Sequence, residues 1–167
     1  MIIRMETSPE RRSCNVLLVE DETSDIRIIT STLRQNPSIE VTIVRDGEEA
    51  MDYLKSRIEP SAGTILPSII LLDIHLPRKT GWELLSEIRA HPLLRHIPVV
   101  ILATSSADRD VFRAYQATAN AFVTKPGNLD DFVSILQAVS AFWFSQACLP
   151  KPRTPSPEEK QWPKQVF

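Results

Sequence analysis

Four apolar runs in this chain end in residues able to do chemistry. "NVLLV" gives way to Glu20 and Asp21, with Glu22 behind them, and "SIILLD" ends in Asp73. "IPVVILA" runs out through Ala103 into Thr104 and Ser105, and "FVTKP" passes through Thr124 to Lys125 and Pro126. Brought together, these ends would place three carboxylates, one ammonium and one or more hydroxyls in a shared shallow cleft. Carboxylates packed together raise one another's pKa, because like charges disfavour ionisation. A divalent cation removes that penalty, and an all-oxygen site with few protein ligands suits Mg²⁺, which keeps several of its waters. Lys125 adds a compact positive charge suited to a phosphate oxygen. Such parts stabilise a transferring phosphoryl group, with Asp73 the natural nucleophile for an aspartyl phosphate. Singly they say less. Asp73 alone could cap a turn, "EDE" alone could be a solvated acidic turn, and Lys125 alone could be a surface lysine.

The elements around them decide whether they meet. "NVLLV", at about 15–19, reads as a first buried strand, followed by a helix with Ile26, Ile29 and Leu33 at helical spacing that ends near Asn36-Pro37. "IEVTIV" is a second strand, and Asp46-Gly47 opens a helix carrying Ala50, Met51 and Leu54. After the loop "EPSAGTILP" comes the third strand, rich in branched side chains and dense enough to be buried on both faces. "IHLPRKTG" leads to a helix with Trp82, Leu85 and Ile88; "IPVVILA" is the fourth strand, and "ADRDVFRAYQAT" the fourth helix, capped by Ala107-Asp108 or by Ser105-Ser106. "NAFVTKP" holds a short fifth strand, and a last helix runs from about 129 to 145. Strand and helix alternate five times, which predicts an α/β fold: a parallel sheet with right-handed crossovers and helices on both faces. Ligands of such open sheets sit beyond the carboxyl ends of the strands, where the four chemical groups lie.

Composition bounds the remainder. The 167 residues suit one domain with tails, and 43% hydrophobic with 24% charged residues is ordinary for a globular protein. A net charge of −2 gives no electrostatic reason to bind nucleic acid or an anionic membrane. No apolar run approaches the roughly 20 residues of a membrane-spanning helix, and "MIIRMETSPERRSC" has no signal-peptide core, so a cytoplasmic protein is expected. Cys14 and Cys148, one distant pair, read as free thiols. Residues 1–13 read as an N-terminal arm and 14–146 as the domain. Residues 147–167 read as a tail, crowded with Pro150, Pro152, Pro155, Pro157 and Pro163, too poor in apolar periodicity to order itself.

On these motifs the chain resembles the receiver domain of two-component response regulators, over about residues 14–146. The resemblance implies the five-stranded flavodoxin-like receiver fold with strand order 2-1-3-4-5. "LLVED" matches the acidic pair, with Asp21 a direct Mg²⁺ (or Mn²⁺) ligand and Glu20 the outer acid. "LLDIHLPRKTG" matches the phosphoacceptor motif, which makes Asp73 the acceptor, the backbone carbonyl of His75 a further metal ligand and Gly81 the loop glycine. "FVTKP" makes Lys125 the phosphate partner, Phe122 the aromatic switch residue and Lys125–Pro126 a cis peptide. "IPVVILATSS", "AYQATANAFVTKP", "FW" and the "LP" tail look like the single-domain receivers that partner bacterial and cyanobacterial phytochromes. One departure stands out. The family's usual spacing back from Lys125 lands on Ala103, where a threonine or serine hydroxyl is customary, and Thr104 is one residue on.

The expected function is a stand-alone phosphoacceptor without a DNA-binding output domain. It takes a phosphoryl group from a sensor histidine kinase, catalyses its own Mg²⁺-dependent phosphorylation and slowly hydrolyses the product. An interaction module with weak or uncoupled phosphorylation is the alternative, with Ala103 as its mark. A phosphatase fits less well, since His75 stands where aspartate-based phosphohydrolases carry a second acid. No "GxxxxGK[ST]" loop is present. On the last helix Phe132, Ile135, Leu136, Val139 and Trp143 make a stripe for the sheet. Phe142 and Phe144 extend apolar surface beyond it, which predicts a homodimer through this helix and the tail.

Overall fold

The structure, a computed structural model, describes residues 13–58 and 65–150. The expected arm, apart from Ser13, residues 151–167 of the tail, and residues 59–64 of the loop before the third strand lie outside the described residues. Ten elements alternate as expected: β1 (Cys14–Val19), α1 (Thr23–Leu33), β2 (Ile39–Val44), α2 (Gly47–Ile58), β3 (Ile69–Asp73), α3 (Gly81–Ala90), β4 (Val99–Ala103), α4 (Asp108–Gln116), β5 (Ala121–Thr124) and α5 (Leu129–Ala141). All strand pairs are parallel, in the order β2-β1-β3-β4-β5. This is the flavodoxin-like receiver fold.

The apolar runs explain the layering. Successive side chains of a strand point to opposite faces, so an unbroken apolar run feeds two cores. Leu17, Val19, Ile70, Leu72, Val99 and Ile101 meet Leu54 of α2, Leu84 and Ile88 of α3 and Ala114 of α4. Val16, Leu18, Ile69, Leu71, Val100 and Leu102 meet Ile29 and Leu33 of α1 and Phe132 and Leu136 of α5. Every residue of β3 and β4 is buried, whereas the edge strands β2 and β5 are mostly half-buried. The sheet thus holds β3 and β4 on both faces, with Asp73 at the end of β3.

Helix starts are fixed by side chains that accept the orphan N–H groups of the first turn. Asp46 accepts from Glu48 N and Glu49 N (2.9 and 2.8 Å) ahead of α2. Thr80 and Glu83 form a reciprocal capping box on α3, and Asn128 accepts from Asp131 N at 2.8 Å on α5. α4 begins at Ala107 with no side-chain cap of its own; Ser105 Oγ accepts from Ala107 N and donates to Asp110 instead.

The last helix differs from expectation. Regular α-helix stops at Ala141, and Phe142–Gln146 form a π-helical turn closed by Ala147 N donating to Phe142 O at 2.7 Å. A π turn bonds i to i+5 and so carries more residues than an α turn, which breaks the 3.6-residue period. Trp143 and Phe144 both pack, partly buried, on the α1/α5 core, so Phe144 is a core contact and not added surface. Phe142 alone of the three stays outside, 55% exposed and edge-on to Trp143 at 5.2 Å. Among the described residues no helix is long and apolar enough to cross a membrane.

Candidate functional site

The carboxyl ends of the three central strands and β5 converge, as the strand order implied by the receiver resemblance places them. Val19 pairs with Leu72, Asp73 with Leu102 and Ala103 with Thr124. Glu20, Asp73 and Lys125 are 0, 6 and 8% exposed, so three charges are buried together. Lys125 Nζ donates to Glu20 Oε2 and Asp73 Oδ2 at 2.6 Å each and to Asp25 Oδ2 at 2.8 Å. An ammonium has three donors, and all three are used. The remaining oxygens are also held: Glu20 Oε1 accepts from Glu22 N at 3.1 Å, and Asp73 Oδ1 from His75 N at 2.8 Å.

Burial pushes the Glu20 carboxyl up to about 7, against the lowering pull of Lys125, and the neighbouring Asp73 charge adds to the rise. For Lys125 burial alone would lower the pKa, but the bonds to Asp25, Asp73 and Glu20 outweigh it and raise the value above the ordinary lysine range. One ammonium does not satisfy this much negative charge.

Ligand oxygens of Glu20, Asp21 and Asp73 all lie within 4.8 Å of one another. Asp21 is exposed while the other two are buried, so the cluster opens to water on one side. Hard oxygen donors, excess negative charge and a wet side fit a divalent cation that retains part of its hydration.

Other expected residues fall as follows. Gly81 is required by close approach: a Cβ there would collide with the backbone O of Asp73 and with Ile74 Cα. The ring of His75 is exposed, and its backbone N–H rather than its ring orients Asp73. Ala103 is fully buried in the core shared with α2, α3 and α4, and half-buried Phe122 packs against that core. Thr104 lies one residue past β4 and is exposed. The expected cis peptide is a correction: Lys125–Pro126 is trans. Trans is favoured by about 0.5–1 kcal/mol for such bonds, and the trans chain already delivers Nζ to three carboxylates.

Sequence reasoning missed Asp25, on the first turn of α1, and a clasp beside the site. In the β3–α3 loop Arg78, at φ 63°, pairs with Asp46 and, at 3.6 Å, with Glu48. Gly47 sits against the backbone O of Lys79 so closely that a Cβ would not fit. The loop that leaves Asp73 is thereby fastened to the start of α2.

Comparison with known proteins agrees with this geometry. Residues 16–137 match the family described as response regulator receiver domain. Response regulator Rcp1 of Synechocystis sp. is 39% identical over 136 residues, 81% of this chain and 92% of its own length. The crystal structure of its Mn²⁺-bound form superposes with a TM-score of 0.76 at 38% identity, covering 82% of this chain and 99% of that one. The phosphorylated cyanobacterial phytochrome response regulator RcpA gives 0.77 at 42% identity, covering 83% and 99%. A response regulator in red light signaling of R. palustris gives 0.72 at 32%, covering 83% and 99%. With a buried Asp73 facing Lys125 at the end of the central strand, the strand order of the fold, and a family match over most of its length, the chain belongs to the response regulator receiver domains.

Proposed function

We propose that this receiver accepts a phosphoryl group from the phosphohistidine of a sensor histidine kinase onto Asp73. Mg²⁺ (or Mn²⁺) would be held by Glu20, Asp21, Asp73 and the backbone carbonyl of His75. The observation that carries the reading is the buried Lys125–Asp73 contact of 2.6 Å beside two further acids at the strand ends. When bound, the cation offsets the clustered carboxylates and the charge on the phosphoryl oxygens. His75 N–H fixes Asp73 Oδ1, which leaves Oδ2 to attack once Lys125 lets go of it. Oδ2 forms the bond to phosphorus as the phosphorus–nitrogen bond breaks, and its electron pair returns to the imidazole. Lys125 then donates to a phosphoryl oxygen. Hydrolysis reverses the gain: water attacks phosphorus and Asp73 leaves as carboxylate. The receiver thus catalyses its own phosphorylation and slow dephosphorylation.

A phytochrome-type kinase is the proposed donor, supported by the likeness to RcpA and to the red-light regulator of R. palustris. Such a kinase draws on cytoplasmic ATP, so the receiver works in the cytoplasm. Radiolabelled kinase of this type should transfer its phosphoryl group to the receiver in Mg²⁺ and not in excess chelator. Transfer that is unaffected by the chelator would contradict the proposed site.

Ala103 supports a second reading for the output. A hydroxyl at this position would couple the phosphoryl group to the aromatic residue on β5, and Ala103 has none to offer. Phe122 already packs on the core containing Ala103, and it has no phenolic group to hold it outward. A ligand shifts a two-state equilibrium only by its differential affinity for the two states. Phosphorylation should therefore change the α4–β5–α5 surface little. Ala103→Thr should enlarge that change by the roughly 1–3 kcal/mol typical of allosteric coupling. The comparison to make is kinase affinity with and without beryllofluoride in both proteins. A large wild-type response that survives Thr104→Ala would show that the switch runs without this hydroxyl.

We also propose a homodimer through α5 and the segment after it. Phe142 is left exposed on the π turn that follows α5, edge-on to Trp143, an aromatic side chain of the kind that interfaces enrich. Because Trp143 and Phe144 pack on the core, Phe142→Ser tests this better than truncation. Sedimentation should show a dimer for the wild type and a monomer for the variant; a wild-type monomer would end the proposal.

A further inference from the structure

We infer that Asp25 is a positioning residue that keeps Lys125 at the site while its other two partners are drawn into the reaction; the inference rests on the phosphoacceptor reading above. Lys125 spends its three donors on Glu20, Asp73 and Asp25. Two of those bonds are temporary if that reading holds. Asp73 Oδ2 must be released to bond phosphorus, and Glu20 belongs to the carboxylate cluster that a divalent cation would claim. Asp25 is different. It lies outside that cluster, on the first turn of α1, and its carboxylate, 21% exposed, has Lys125 as its ion-pair partner.

Two consequences of opposite sign follow. A cation arriving among Glu20, Asp21 and Asp73 repels the ammonium beside it. Asp25 offers that ammonium a place to stay, and its own negative charge also favours the cation. Once the phosphoryl group is on Asp73, the same carboxylate competes with it for Lys125 and repels its oxygens. Asp25 therefore favours loading of the cation and shortens the life of the phosphorylated state.

Asp25→Asn keeps the size and an acceptor oxygen but removes the charge. Mn²⁺ affinity, read from the free-ion electron paramagnetic resonance signal, should fall by roughly two- to fivefold, the range expected of a partly exposed charge pair. At saturating Mg²⁺, beryllofluoride should bind tighter by a similar factor, and the phosphoryl group should be lost more slowly. Asp25→Glu, which keeps the charge, should restore Mn²⁺ binding toward the wild type. A merely structural role would weaken both ligands together. Loss of both affinities in Asp25→Asn, or no change in either, overturns the inference while wild-type binding of both leaves the phosphoacceptor reading standing. A wild type that binds neither Mn²⁺ nor beryllofluoride overturns that reading itself.

Discussion

Asp73→Asn should abolish phosphoryl incorporation while leaving the fold intact. With a small acyl phosphate donor and Mg²⁺, intact-protein mass spectrometry should find one added phosphoryl group on the wild type and none on the variant. The physical case is that Asp73 ends a strand whose residues are all buried, so its carboxylate is held at the rim by the sheet itself. An amide oxygen in its place still accepts from His75 N–H, but it is a far weaker nucleophile toward phosphorus. The substitution also removes one of the charges that raise the Glu20 pKa. Lys125 keeps Glu20 and Asp25 as partners in the variant, so it should stay folded near neutral pH, and a denaturant melt of the variant is the control that separates lost labelling from unfolding. Labelling that persists in the variant would move the acceptor elsewhere.

Lys125→Met should have the largest effect on stability. The ammonium is the shared partner of three carboxylates, two of them buried. Removing one partner of a buried ion pair typically costs about 3–5 kcal/mol, because the remaining charge is left uncompensated. The loss should depend on pH. Glu20 already has a folded-state pKa near 7, above its unfolded value of 4.5, so the native protein holds more protons between those limits and loses stability as pH rises through them. Without Lys125 the Glu20 pKa rises further. The deficit should then be deepest in alkaline solution and shrink as pH falls and Glu20 takes up its proton. Divalent cation should rescue the variant more than it stabilises the wild type. Denaturant melts at two pH values, with and without Mg²⁺, decide the matter. A deficit that is the same at both pH values and unmoved by Mg²⁺ would mean that the cluster is not the source.

The strand ends were legible because geometry does the work of proximity there. Once the apolar runs around Val16–Val19, Ile69–Leu72, Val99–Ile101 and Ala121–Thr124 are read as parallel strands, and the receiver resemblance supplies the order 2-1-3-4-5, Glu20, Asp21, Asp73 and Lys125 come together at one end of the sheet. β2 appears at Ile39–Val44, the span of the "IEVTIV" run. Asp25 was not legible because an acid in the first turn of a helix is already explained by the helix dipole, and it sits on a helix and not at a strand end that would direct it to Lys125. The Arg78 clasp stayed hidden because it depends on a positive φ that a non-glycine residue seldom adopts. Phe144 was misplaced because the π turn at Phe142–Gln146 ends the 3.6-residue period on which the reading relied. The trans Lys125–Pro126 bond departs from what the family resemblance implied, and it could not be read from the local sequence.

The central claim is that this receiver carries its phosphoryl group on the Asp73 carboxylate in a cation-dependent way. Borohydride cleaves an acyl phosphate by reducing the carbonyl to an alcohol, so a phosphorylated aspartate is marked as homoserine. The direct measurement is to load the protein with its phosphodonor in Mg²⁺ or in chelator, reduce it, and map the peptides by mass spectrometry. Homoserine at position 73 alone, present with Mg²⁺ and absent with chelator, is the predicted result. An unmodified Asp73 in fully phosphorylated protein, or homoserine at Asp21 or Asp25 or the corresponding reduced alcohol at Glu20 instead, would contradict it.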